Sequence, residues 1–482
     1  MKQNLFSNQI RRGVIGLFAS NLITFLVIGL SYIVYSKSLI PAEFGLYSIG
    51  LGIATFGNLV LDGGLKNTII KSPINLNNKE EGSLLFLMIG SSLLVNLIIL
   101  IIGLIIYNYF PATIQDYNFL ALFSSAYWLS YPWIAIPTAS LERRLDYAKI
   151  AGIESFGTII ERSLPAIFIL VFHTGIYSFI WAVVLGRLFR VIGINLFYKP
   201  YFCIPSWQEI KAIFYLLSEG GWLQIATCFS LLRDNLHILL VGTMFGKDWV
   251  GYYAWGLQIC LIASQIFVQI SARISIPMFA QASSFEQRWQ WCLYQVKLLT
   301  IFTAPLLSVI LLVIPSINQS LFQDKWTTAI TFLPLLFLRM IPGLATTPIG
   351  SLLMVHQGGR KFAQATIIWT LVEIIGAALL LSLLGPTGLA WSYSLAVWPG
   401  LWILLIFTGE DSQKLGLEVN RIIFQRSSLL IAGILSVLLY FSHFILEVSL
   451  KDSYINLFLL IPIVLISYLS EKDIRKLLRL KI

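Results

Sequence analysis

Charge is what this sequence has least of. Asp, Glu, Lys and Arg make up 12% of 482 residues, against 57% hydrophobic residues, and the mean hydropathy is +0.81. Ordinary soluble chains are about a quarter charged, so no water-soluble interior hides this much apolar side chain. Cysteine is scarce too. Cys203, Cys228, Cys260 and Cys292 lie in or beside apolar runs without CxxC spacing, which argues for packing residues and against disulfides or metal ligands. A Walker loop, an HExxH motif and a GxSxG elbow are all missing. No enzyme is expected, and no cofactor. The net charge of +10 does not point to nucleic acid, because no loop is long enough to form a soluble basic domain.

What the chain has instead is apolar runs. A bilayer core about 30 Å thick takes about 20 residues of helix, and about fourteen runs of that order are present. They lie near 13–36, 43–66, 83–107, 117–138, 150–172, 176–198, 220–243, 249–273, 291–314, 328–353, 362–384, 388–408, 427–446 and 454–470. Membrane strands are half that length and alternate in polarity. These runs do neither, so an all-α integral membrane protein is expected. The first run follows Lys2, Arg11 and Arg12 but has no small-residue cleavage site, and reads as an uncleaved helix.

Lys and Arg stay on the cytoplasmic side. With the N-terminus inside, inward segments carry 22 Lys/Arg, among them Arg143, Arg144, Arg360, Lys361 and the tail Lys472, Arg475, Lys476, Arg479 and Lys481. Outward loops carry four: Lys37, Lys247, Lys325 and Lys451. Both termini are therefore expected inside.

The chain also reads as a duplication. Phe44-Gly45-Leu46-Tyr47-Ser48-Ile49-Gly50 resembles Val250-Gly251-Tyr252-Tyr253-Ala254-Trp255-Gly256, and Pro137-Thr138-Ala139-Ser140-Leu141 resembles Pro348-Ile349-Gly350-Ser351-Leu352. Gly175 and Trp181 recur as Gly385 and Trp391. The offsets are 206, 211 and 210 residues. Two parallel six-helix lobes follow, at 1–198 and 220–409, with a cavity expected between them. The linker 199–219 holds Ser206 and Glu209 at capping-box spacing. Ile210, Ile213, Phe214 and Leu217 then form a stripe that predicts a short helix along the cytoplasmic surface. Residues 410–482 supply two further helices and a basic tail.

Ionisable residues inside spans are costly and usually face a cavity. Arg162 lies mid-way along the fifth span beside Glu161, and Arg187 and Arg190 share one face of the sixth. Arg233 and Asp234 centre the seventh, Arg339 lies in the tenth and Glu373 in the eleventh. Helix neighbours point about 100° apart, so Glu161 is not expected to serve Arg162 fully, nor Asp234 to serve Arg233. The arginines then either bind an anion or lock helices together through ion pairs, and Arg190 can also snorkel. Arg273 and Lys297, near helix ends, fit snorkelling better. His237, one turn from Arg233, fits either proton coupling or a hydrogen-bonded packing role. Glu161, Asp234 and Glu373 are open to charge pairing or ion coupling, and a proton or sodium gradient is compatible with all four. Planar guanidinium forks in excess suit a diphosphate or acidic sugars.

Leu39-Ile40-Pro41-Ala42-Glu43-Phe44-Gly45-Leu46-Tyr47 with Leu61-Asp62-Gly63-Gly64-Leu65 resembles the opening of bacterial polysaccharide-biosynthesis flippases. These are the O-antigen and exopolysaccharide translocases of the multidrug/oligosaccharidyl-lipid/polysaccharide exporter superfamily. Val250-Gly251-Tyr252-Tyr253 and Arg143-Arg144-Leu145-Asp146-Tyr147-Ala148 are similar in kind, and the pattern covers roughly residues 10–410. The resemblance implies a V-shaped pair of lobes, alternating access, and a lipid-linked oligosaccharide as cargo in the inner membrane. A polysaccharide polymerase and assembly proteins are the partners it suggests, besides membrane lipids. It assigns no site residue. The alternatives are a drug antiporter on the same fold, a lipid II flippase, or a membrane polymerase or ligase, for which the outward loops are too short.

Overall fold

Hydrocarbon offers no hydrogen bonds, so backbone in a membrane satisfies itself within helices or closed barrels. The computed structural model describes Thr24 and residues 26–62, 78–109, 114–143 and 147–424, and all regular structure among them is helical. In chain order the helices are α1 (Leu26–Ser38), α2 (Pro41–Asp62), α3 (Asn78–Tyr109), α4 (Ile114–Arg143), α5 (Tyr147–Phe172) and α6 (Ser178–Phe197). Then follow α7 (Trp207–Phe245), α8 (Lys247–Gln281), α9 (Phe285–Phe322), α10 (Thr327–Leu384), α11 (Pro386–Leu395), α12 (Val397–Ile406) and α13 (Ser412–Phe424).

The first twelve expected spans all coincide with helix over their described residues, the first two of them in part. The two C-terminal spans and the basic tail lie outside the described residues, so a total of fourteen is an expectation only. Nine helices among the described residues are long and apolar enough to cross a membrane. The eighth expected span lies within α8, where Ser264, Ser271 and Ser275 are buried. Ser271 and Ser275 donate to Gln295 Oε1 of α9 at 3.3 and 2.7 Å, which spares those hydroxyls from lipid.

Three boundaries differ from the sequence reading. The surface helix expected at 206–219 is continuous with the seventh span, and together they make α7. The tenth and eleventh spans join into α10, broken only at Gly358 (φ 85°, ψ 173°). That conformation is essentially open to glycine alone. The twelfth span divides at Ala396, because Pro399 has no N–H to give the Leu395 carbonyl; the helix resumes with Gly400 N–H to Ala396 O at 3.1 Å.

Two compact units divide at Leu232/Arg233, within α7. In the first, Phe119, Phe123 and Phe179 are fully buried, and Trp128 donates to Ala54 O at 3.0 Å across α2 and α4. In the second, Trp255 and Trp326 stack at 4.9 Å, both fully buried. Helix α13 lies within the C-terminal segment. Its Leu415, Val419 and Ile423, four apart, pack into the core beside Trp369, Leu401 and Leu404. Trp289 Nε1 donates to Glu418 Oε2 at 2.6 Å, fixing the helix there.

Candidate functional site

The sixth-span arginines find their acid on the neighbouring helix. Arg190 Nη1 donates to Glu161 Oε1 at 2.5 Å and Nη2 to Thr158 Oγ1 at 2.8 Å. Arg187 Nε lies 3.1 Å from the same carboxylate oxygen. Two glycines make room. A Cβ on Gly157 would lie 2.4 Å from Arg190 Nε, and one on Gly186 would lie 2.4 Å from Glu161 Cγ. The three-residue spacing of Arg187 and Arg190 thus brings both onto one acid, as a shared helix face predicts.

Arg187 has a second contact: its guanidinium lies over the Tyr127 ring at 4.0 Å. Its terminal nitrogens have no hydrogen-bond partner among the described residues. Arg162 is tied differently. Its Nη1 donates to the Tyr47 hydroxyl at 2.6 Å, and the Tyr35 hydroxyl donates to its backbone carbonyl. Glu161 leaves Arg162 to these tyrosines, in line with the helix geometry. Three arginines surround the one carboxylate of Glu161, and Glu154, half-buried seven residues earlier, adds a second negative charge close enough to act on Arg190.

The second unit holds a matching cluster. Arg339 Nη1 donates to Tyr393 O at 2.7 Å, lies 3.6 Å from Glu373 Oε2, and its guanidinium sits 3.4 Å over the Tyr393 ring. Arg233 stacks on Trp369 at 3.8 Å. Here the sequence expectation is corrected. Arg233 Nε and Nη2 both reach Asp234 Oδ1 at 3.3 Å, since the long side chain curls back around the helix. The pair is long, and the Asp234 side chain is 51% exposed.

His237 is 2% exposed, with its ring 4.9 Å from Tyr253 and 4.6 Å from Tyr393. Neither ring nitrogen is hydrogen-bonded among the described residues, so the expected hydrogen-bonded packing role is not what the structure holds. The Tyr253 hydroxyl and Ser392 Oγ are likewise buried without a hydrogen-bond partner among the described residues, and Glu373 Oε2 meets Arg339 only at the 3.6 Å of the ion pair.

The sequence reading missed the aromatic partners: Tyr47, Tyr127, Trp369, Tyr253 and Tyr393. A signal existed for two of them, because Tyr47 and Tyr253 occupy the same position of the repeated motif, 206 residues apart. Glu81 was missed as well. It is buried at the start of α3, accepting from the hydroxyls of Ser140 and Tyr198. Among the described residues no three His, Cys, Asp or Glu side chains come together as metal ligands would.

Apolar helices enclosing arginine-rich clusters define a multi-pass membrane protein, and its fold is that of a known transporter. A solved structure titled lipid II flippase MurJ, in an inward closed conformation, matches with a TM-score of 0.69 at 14% identity, over 96% of this chain and 100% of that one. The family described as polysaccharide biosynthesis protein matches residues 36–331, and the chain belongs to it. Among curated relatives, the lipopolysaccharide biosynthesis protein WzxC of Escherichia coli K12 is 23% identical over 348 residues, covering 70% of this chain and 68% of its own. A membrane protein of the cps region of Klebsiella pneumoniae is 20% identical over 336 residues, covering 69% and 68%.

Proposed function

We propose that the chain carries a polyprenyl-diphosphate-linked oligosaccharide across the cytoplasmic membrane by alternating access between two six-helix lobes, 1–198 and 220–409. Both termini and the 199–219 linker are cytoplasmic. It is a transporter with no bond-breaking step, and it hands its cargo to a polysaccharide polymerase and assembly proteins. No cofactor enters; an ion gradient drives the cycle.

The observation that carries this reading is the way the buried arginines spend their donors. Arg162, Arg190 and Arg339 give theirs to Tyr47, to Glu161 and Thr158, and to Tyr393. Arg187 and Arg233 lie over aromatic rings, as Arg339 does, but beyond the ring Arg187 has only its Nε near Glu161 at 3.1 Å and Arg233 only the long 3.3 Å pair with Asp234. A ring-stacked guanidinium keeps its forked edge for a bidentate oxyanion. These two are the diphosphate- and sugar-binding arginines. The names of the relatives support the same cargo class. A cationic-drug antiporter is disfavoured, because Glu161, Asp234 and Glu373 all have arginine neighbours.

The test is delivery of lipid-linked repeat units to the periplasm by Arg187→Gln, Arg233→Gln and the double variant, normalised to protein in the membrane. Normal abundance with delivery lost in the double variant is the expected result. Lysine at both positions keeps charge and loses the fork, so delivery should stay low. Undiminished delivery by a well-expressed double glutamine variant overturns the assignment.

A further inference from the structure

Between α6 and α7 the backbone has no regular structure from Tyr198 to Ser206. Pro200 holds the residue before it off helical geometry, which stops α6 from running on. One side of this segment is clipped to the start of α3. The Tyr198 hydroxyl donates to buried Glu81, which also accepts from Ser140 of α4. A Cβ on Gly82 would lie 2.9 Å from both Tyr201 O and Cys203 N, so glycine lets the segment's backbone lie directly on the helix. Phe202 sets its ring 5.8 Å from that of Phe86.

The other side is apolar and open. Ile204 is 73% and Trp207 70% exposed, and Tyr201 and Phe202 are about half exposed. Four large apolar side chains thus stand out from seven residues of chain.

We propose that Tyr201, Phe202, Ile204 and Trp207 seat this segment in the headgroup layer of the bilayer. The connection into α7 is then anchored to phospholipid as well as to α3. This anchor is independent of the cargo that the chain carries.

The level of the segment follows from the helices that hold it. Both α6 and α3 carry membrane spans, Gly175–Phe197 and Lys79–Tyr109. The segment begins where the first span ends, and its clip lies on residues 81, 82 and 86, within the first three turns of α3. It therefore lies at the boundary of the membrane. A deeper position is excluded by its backbone. Among the described residues, 199–204 make no backbone-to-backbone hydrogen bond, and open backbone facing hydrocarbon is not tolerated. A position in bulk water is opposed by the four apolar side chains. The headgroup layer suits both, because it hydrates backbone and is where Trp and Tyr concentrate.

Continuity supports the same occupant. Leu196 and Phe197, the last residues of α6, are exposed on a membrane span, and the open apolar surface continues from them to Tyr201 and Phe202. Lys199, exposed between the two pairs, brings its ammonium to the level of lipid phosphate.

The experiment uses the wild-type chain in phosphatidylcholine nanodiscs doped with one of two photoactivatable lipids. One carries a diazirine at the headgroup, the other at the methyl end of an acyl chain, and adducts are mapped by peptide mass spectrometry. The headgroup probe should label Tyr201, Ile204 and Trp207. The chain-end probe should miss them and label Leu97 and Ile101, which are exposed within the α3 span. No headgroup adduct on 201–207 while Leu196 is labelled overturns the proposal. Labelling of the segment by the chain-end probe as strong as that of Leu97 overturns the headgroup level.

Hydroxyl-radical footprinting of the same nanodiscs reads the converse. A Trp207 open to water at its 70% exposure would be oxidised nearly as fast as in the denatured chain. Lipid cover should remove most of that oxidation at Trp207 and Tyr201. Oxidation close to the denatured level overturns the proposal. A face kept for a protein partner would also be open to water in the purified chain, and would give that second result.

Discussion

Buried guanidinium groups in this protein differ in what their N–H donors meet, and that difference sorts five arginines of similar sequence context. Arg190 is committed to Glu161 and Thr158, beneath the gap left by Gly157. Uncompensated breaking of a buried pair costs about 3–5 kcal/mol. Arg187 still neutralises Glu161 in Arg190→Gln, so that variant should lose less than this, seen as lower membrane abundance and a lower thermal unfolding midpoint. Arg187→Gln should leave both near wild type. Equal abundance losses in the two variants would contradict the division between locking and ligand-facing arginines. Tyr47→Phe removes the hydroxyl that accepts from Arg162 and leaves a buried donor unmet, a cost of about 1–3 kcal/mol. Thermal unfolding of the purified variant checks it.

At the scale of the element, glycines decide how closely helices approach and where they turn. A Cβ on Gly400 would lie 2.1 Å from the Trp369 ring, a rigid neighbour. Overpacking of this kind costs about 1–3 kcal/mol. Gly400→Ala should also displace Trp369 from beneath Arg233 and so reduce transport, whereas Gly343→Ala, with open space around it, should be silent. Gly358 differs in kind: space is open around it, but its φ of 85° is not. Gly358→Ala should cost about 1–3 kcal/mol through backbone strain alone. Gly359→Ala, also in open space and without a positive φ, is the control. Identical unfolding midpoints for the two would argue that α10 straightens at no cost. Helical periodicity and length predicted where α10 runs. The turn inside it depends on one residue's dihedral angles, which Gly358-Gly359 permits and does not dictate.

For the whole molecule, the charge asymmetry predicts that single cysteines near Lys247 and Lys325 react with an impermeant reagent from outside, and those near Lys211 and Arg360 do not. The opposite labelling pattern would end the proposed orientation. Sequence alone determined that this is an all-α membrane protein with ionisable residues inside its apolar runs. Those properties follow from the hydrophobic thickness of a bilayer and from the rarity of ionisable groups in lipid, and both are written locally in the chain. It also determined that Arg187 and Arg190 act from one face, because that needs only the helical repeat. Tertiary structure decided which acid they share, which arginines lie on rings, and that His237 has no hydrogen-bond partner among the described residues. Tyr47 meets Arg162 from 115 residues away, and Arg339 meets the Tyr393 carbonyl from 54. Such pairings depend on how separate helices rotate and pack, and helical periodicity along one segment carries no record of the face its neighbour presents.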